Sequence, residues 1–318
     1  MGKLKITAMQ HMEKEESTHP QWGRRTFITN VMKTAGIAAL LKVPGLTIAA
    51  GKQPLPNTYT VKDVIDLILR EIPNAPFPNT VDTLKNGNPD QKVTGIITTM
   101  FPTVKVIEEA VKRKANFIIA HEPTFYNHLD DKNWVPGSSV VKEKEALLNK
   151  YNIAVWRFHD YWHAYRPDGI GYGVLKQTGW LQYWKPGEVT VHIPARPLQA
   201  IASHLKRTLG IQQVRVLGNL AQSCSSVTFL PGAAGGQTQM RFAEQEKPDL
   251  LIVGELHEWE TAEYIRDARQ LGHKTALIVL GHSVSEEPGM YWLQEWLQPK
   301  ITGITVTHIP SGNPFVWI

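Results

Sequence analysis

Three short segments of this chain combine imidazoles and carboxylates at spacings that suit metal chemistry. His121 and Glu122 follow the apolar run 117–120, His159, Asp160 and His163 follow 153–156, and His282 and Glu286 follow 274–280. Pro123 biases Glu122 toward an extended backbone, so the side chains of His121 and Glu122 should diverge, which suits two cations better than one. The single cysteine, Cys224, excludes a thiolate-rich site and leaves His and carboxylate as donors. One such segment is easily chance. Three of them, expected on one sheet edge, make a zinc-like or harder divalent site the economical explanation.

The apolar runs read as buried parallel strands that deliver polar groups at their C-terminal ends, where open α/β sheets carry their sites. Helical patterns at 104–114 and 140–151 alternate with strands at 93–98, 117–120 and 153–156, which predicts a parallel sheet. Ahead of them, Thr60 and Asp63 form a capping signal for a helix reaching about residue 71. From residue 189 the pattern starts again: strand 189–193, helix 197–209, strands 214–217, 227–230 and 250–253, with a helix ending near 246. This predicts a second α/β lobe, 188–271, inserted into a metal-binding lobe made of 57–187 and 272–318. The turn Pro231-Gly232-Ala233-Ala234-Gly235-Gly236 lacks the Lys-Ser/Thr ending of a phosphate loop and predicts a tight passage from strand to helix. Pro288 suits the first position of a helix over 289–297, so His282 and Glu286 are expected in the loop before it.

The first 50 residues differ in character. Gly23-Arg24-Arg25-Thr26-Phe27-Ile28 precedes a moderately apolar stretch broken by Lys33, Lys42 and Pro44, a pattern that resembles a twin-arginine export signal and predicts a periplasmic product. The stretch is too interrupted for a membrane span. It also carries most of the charge. The whole chain is formally +5, but residues 1–50 hold seven basic and three acidic side chains, leaving 27 basic against 26 acidic in the rest. That near-neutral body argues against nucleic acid as a partner.

The body of the chain, from about residue 59 to the end, resembles the NGG-interacting-factor-like dinuclear metal-centre proteins, also known as GTP cyclohydrolase type 2-like proteins. The residues that carry the resemblance are the strand-ending doublet before Pro123, the closing Gly281, His282 and Glu286, and, more weakly, the glycine-bearing turn and Val253-Gly254-Glu255. Two positions depart from the family pattern. His121-Glu122-Pro123 stands where His-His-Pro is usual, and His163 stands where an Asp is usual, so the set still totals three His and two carboxylates. The resemblance implies His121, Glu122, His163, His282 and Glu286 as ligands of two divalent ions (Zn, Fe or Mn), with His159 and Asp160 behind them or against substrate. By their positions in the chain, Tyr161 and Trp162 could wall the pocket or simply pack in the core, and Glu255 and His257 could serve as acid/base groups or lie on the surface. The implied activity is hydrolysis by a metal-bridging hydroxide on an anionic or nucleotide-like substrate, in a homo-oligomer that could be a hexamer. A metal-binding or interaction module without turnover is the alternative.

Overall fold

The computed structural model describes residues 58–316 and Ile318; the twin-arginine-type segment at 1–50 lies outside the described residues. Helix α1 (Val61–Leu69) opens on the expected cap. Thr60 Oγ1 accepts from the Asp63 amide at 3.1 Å while Asp63 Oδ2 accepts from the Thr60 amide at 2.8 Å. Its apolar stripe buries Val61, Val64 and Ile68.

The first sheet takes β1 (Leu84–Asn86), β2 (Ile96–Thr99), β3 (Phe117–Ala120), β4 (Ala154–Arg157) and β10 (Val306–His308), in the spatial order β1-β4-β3-β2-β10. Strands β10, β2, β3 and β4 are parallel, and β1 closes one edge antiparallel to β4. Successive side chains leave opposite faces. Ile96, Phe117, Ile119 and Trp156 pack into one core with α1, whereas Ile97, Ile118, Ala120 and Val155 pack into another. That second core is completed by α2 (Val104–Lys112) and α3 (Ser139–Lys150), through Val106, Ile107, Ala110, Val141 and Leu148.

The second sheet takes β5 (Thr190–Pro197), β6 (Arg215–Leu217), β7 (Ser223–Leu230), β8 (Leu250–Val253) and β9 (Ala276–Val279), ordered β5-β7-β8-β9-β6, with β5 and β6 antiparallel at its two edges. Here one expectation is corrected: β9, assigned from sequence to the first lobe, is the parallel neighbour of β8, with Leu250 opposite Ala276. The physical reason is the short β-α-β passage through α8 (Glu263–Gln270), which pairs consecutive strands as neighbours. The chain therefore returns to the first sheet only after β9, and the three polar strand ends are shared between two sheets, not aligned on one edge.

The return itself is a second correction. His282 and Glu286 do not lie in a loop; they occupy the first turns of α9 (His282–Leu297). Gly281, at φ +99°, turns the strand directly into the helix, and its carbonyl accepts from the Ser285 amide at 3.1 Å. Pro288 sits inside α9, not at its start, forfeiting one backbone bond. Tertiary packing offsets the loss. Met290, Leu293 and Leu297 are fully buried, each worth about 1.5–3 kcal/mol. Helix α5 (Gly169–Gln177) crosses α9 at glycines: a Cβ on Gly289 would sit 2.6 Å from the Ile170 Cα, and one on Gly173 would sit 2.5 Å from the Pro288 carbonyl oxygen. Among the described residues no helix is long and apolar enough to cross a membrane.

Candidate metal centre

The register of the first sheet fixes the first donors. Ala120 pairs with Arg157, so His121 and Phe158 leave the sheet side by side, and His121 Nδ1 donates to the Phe158 carbonyl at 3.1 Å. His159 follows one residue later and stacks on His121, ring centroids 4.6 Å apart. The chain then enters α4 (Asp160–Ala164), whose N-terminus is capped by buried Asp82: Oδ1 accepts from the His159 amide and Oδ2 from the Tyr161 amide, both at 2.8 Å. Burial raises the Asp82 carboxyl to about 6. One helical turn separates His159 from His163, whose ring lies 5.0 Å from that of His121.

A common pattern governs the four histidines. Each offers Nδ1 to a fixed acceptor: Phe158 carbonyl for His121, Asp160 Oδ1 for His159 (2.9 Å), Asp168 Oδ2 for His163 (3.0 Å) and Glu255 Oε2 for His282 (3.3 Å). That fixes the tautomer and leaves Nε2 as the nitrogen that can coordinate. On the carboxylate side, Glu122 Oε1 lies 3.3 Å from His282 Nε2 and 3.8 Å from His159 Nε2, while Glu286 Oε2 lies 3.2 Å from His282 Nε2 and 3.7 Å from His121 Nε2.

These atoms converge without satisfying one another. Buried His121 Nε2, His282 Nε2 and Glu286 Oε2 all lack a hydrogen-bond partner. Orphaned polar atoms of this kind are costly unless a further species completes them. Two groups bring their ligand atoms within 4.8 Å of one another: His121 with His159 and His163, and His121 with Glu122 and Glu286. The donor types are those of zinc, iron or manganese sites. Electrostatics agrees. Burial opposes charge on His282, but Glu122, Glu255 and Glu286 outweigh it and push the imidazolium up to about 12. Burial, with His159 and His163 beside it, holds His121 neutral, well below the usual imidazole range. Burial likewise opposes ionisation of Glu122, yet His282, His159 and Arg157 hold its carboxyl below the usual range. Neutral His121 and ionised Glu122 are in the states that cation binding requires, whereas His282 must give up a proton before its Nε2 can coordinate.

Several expectations change here. His159 stands among the converging nitrogens and not behind them. Asp160 lies behind His159, holding its Nδ1 while accepting from the Thr80 hydroxyl at 2.8 Å and the Val81 amide at 3.2 Å. Tyr161 and Trp162 are core residues, not pocket walls: Tyr161 packs on Phe77, and Trp162, fully buried, donates Nε1–H to the Gly289 carbonyl at 3.1 Å. Glu255 reaches the site through His282, but His257 is exposed and meets Glu260 and Trp259 instead.

Sequence reasoning passed over Arg157, fully buried against Glu122, and His128, whose ring stands edge-on to His159 at 6.0 Å. An arginine inside an apolar strand was the available signal for the first. It also passed over Gly232, which at φ +64° lies against Glu286 so closely that a built Cβ would overlap Oε1. Gly232→Ala should therefore displace the flexible Glu286 carboxylate and weaken metal binding about tenfold or more while the chain stays folded, as chelator-competition titration with near-UV circular dichroism would read. A cavity of about 640 Å³ lined by Lys176, Tyr291, Trp292 and His308 contains none of these donors.

Comparison with known proteins agrees with the architecture. The "GTP cyclohydrolase 1 type 2 homolog" of Neisseria meningitidis serogroup B is 28% identical over 228 residues, covering 69% of this chain and 84% of its own. The protein of the same description from Salmonella typhimurium is 25% identical over 230 residues, 70% of this chain and 87% of its own. Among solved structures, the Bacillus cereus protein related to NIF3 superposes with a TM-score of 0.65 at 15% identity, covering 82% of this chain and 99% of that one. Staphylococcus aureus protein SA1388 gives 0.62 at 18% identity, with the same coverage. The family model Duf34/NIF3 (NGG1p interacting factor 3) matches residues 60–314. With nearly all the described chain inside that match, the protein belongs to the Duf34/NIF3 family.

Proposed function

We propose that this protein holds two divalent metal ions and hydrolyses an anionic substrate of the nucleotide or phosphodiester kind. The observation that carries this reading is the convergence of His121 Nε2, His282 Nε2 and Glu286 Oε2, buried and without partners, beside Glu122, His159 and His163. His121, Glu122, His163, His282 and Glu286 are the proposed ligands, joined by His159. An imidazole nitrogen serves a single ion, whereas a carboxylate oxygen can be shared. Glu122 Oε1, 3.8 Å from His159 Nε2 and 3.3 Å from His282 Nε2, would be the oxygen this carboxylate offers to the ions. Bound there, a pair of divalent ions would acidify water and stabilise charge on the oxygens of the bond being cleaved. The chain's own part is to fix each imidazole through its Nδ1 acceptor and to keep Glu122 ionised. Glu255, half exposed and 3.3 Å from His282, is the group available to move a proton at the rim.

The test is to measure metal content of the purified protein by mass spectrometry and assay it against nucleotide and phosphodiester panels. Metal at stoichiometric levels with turnover that His282→Ala reduces at least about 100-fold is the expected result. Full occupancy without turnover on any panel would leave the metal-binding module without catalysis. The proposal extends to export by a twin-arginine route and to a homo-oligomer. Cell fractionation and sedimentation of the mature protein test these, and an unprocessed cytosolic monomer would count against both.

A further inference from the structure

Resting on that metal reading, we infer that buried Arg157 makes Glu122 a single-oxygen ligand and so sets the affinity of the centre. The two carboxylate oxygens of Glu122 are divided. Oε1 faces His282 Nε2 at 3.3 Å and His159 Nε2 at 3.8 Å, while Oε2 is taken by Arg157 Nη2 at 3.5 Å. A carboxylate held this way presents one donor atom in a fixed direction, much as an imidazole does. Free of Arg157, it could rotate or offer both oxygens.

Arg157 is itself immobilised for this task. Its Nε–H donates to the His121 carbonyl at 3.3 Å and its Nη1–H to the His128 carbonyl, so the guanidinium spans both ends of the segment that carries Glu122. Its charge is balanced from the far side by buried Asp130, 3.6 Å from Nη1, which in turn accepts from the Thr124 amide (2.5 Å) and Phe125 amide (2.8 Å) and meets Lys85 of β1 at 3.4 Å. Lys85, Asp130, Arg157 and Glu122 form a buried series of alternating charge from the sheet edge to the centre, all with side chains no more than 10% exposed. A buried ion series of this cost needs full pairing, and Glu122 Oε1 is the end left for a cation. Arg157 is a positioning residue: it acts on the metal through Glu122.

A double-mutant cycle on the full chain tests this. Zn²⁺ and Mn²⁺ affinities are measured by chelator competition for the wild type, Arg157→Lys, Glu122→Gln and the double variant. Arg157→Lys should weaken binding at least about tenfold when Glu122 is present and less than about threefold when Gln replaces it. Equal losses in both backgrounds, no loss, or tighter binding through removal of a nearby guanidinium would overturn the inference while leaving the metal reading intact. A wild type that binds neither ion saturably would sink both. If Arg157→Lys fails to fold, the metal-loaded wild-type crystal structure decides: one Glu122 oxygen on metal with the other on Arg157 supports the inference, and a bidentate Glu122 refutes it.

Discussion

His121→Ala should strip the centre of metal. It is the one side chain common to both groups of converging donors, it is fully buried, and its Nε2 has no other partner. Its Nδ1 is held by the Phe158 carbonyl, so losing the ring removes the one buried nitrogen that either group can draw on. Binding should weaken by more than about 100-fold, beyond the loss expected from removing an outer partner. Overall stability should fall less steeply, because the ring packs against His159 and His163, not among the aliphatic cores. Metal analysis after dialysis, set beside a urea unfolding curve, separates the two effects. Retention of near-wild-type metal in the variant would show that the convergence around His121 is incidental.

The second large effect concerns Trp162. Its indole fills the space over Gly169, packs against Phe158, Tyr165 and Trp296, and donates to the Gly289 carbonyl of α9. Trp162→Ala removes a fully buried ring and leaves that carbonyl short of its donor, which should cost about 3–5 kcal/mol. The urea midpoint should drop accordingly. Because Trp162 lies on the same short helix as His163, metal affinity should fall with it. A midpoint within experimental error of wild type would place the ring outside the core.

The strands were readable because their signal is local. Runs such as Phe117-Ile118-Ile119-Ala120 and Leu250-Leu251-Ile252-Val253 are apolar throughout and buried on both faces, and the polar residues that end them mark the site. What failed was whatever depended on partners distant in sequence. Nothing in the residues of β9 says which sheet it joins, so the centre was expected on one edge when it draws on two. Pro288 looked like a helix start because proline is disfavoured inside helices; burial of α9 on α5 overrides that preference. The three glycines of Gly169-Ile170-Gly171-Tyr172-Gly173 argue against a helix by propensity, yet Gly173 is what lets α5 meet α9 at backbone distance and Gly169 is what makes room for the Trp162 indole. Tyr161 and Trp162 sit beside two site histidines in sequence, but one turn of α4 sends them into the core while His159 and His163 face out of it.

That β9 belongs to the second sheet while α9 packs on the first has a further consequence. His282 arrives from one layered half of the molecule and His121 from the other, so the proposed coordination sphere would form only when the halves are seated correctly on each other. Cation uptake then reports on their alignment, and an ion that binds only the aligned state must also clamp it, raising the thermal midpoint in proportion to the logarithm of free metal.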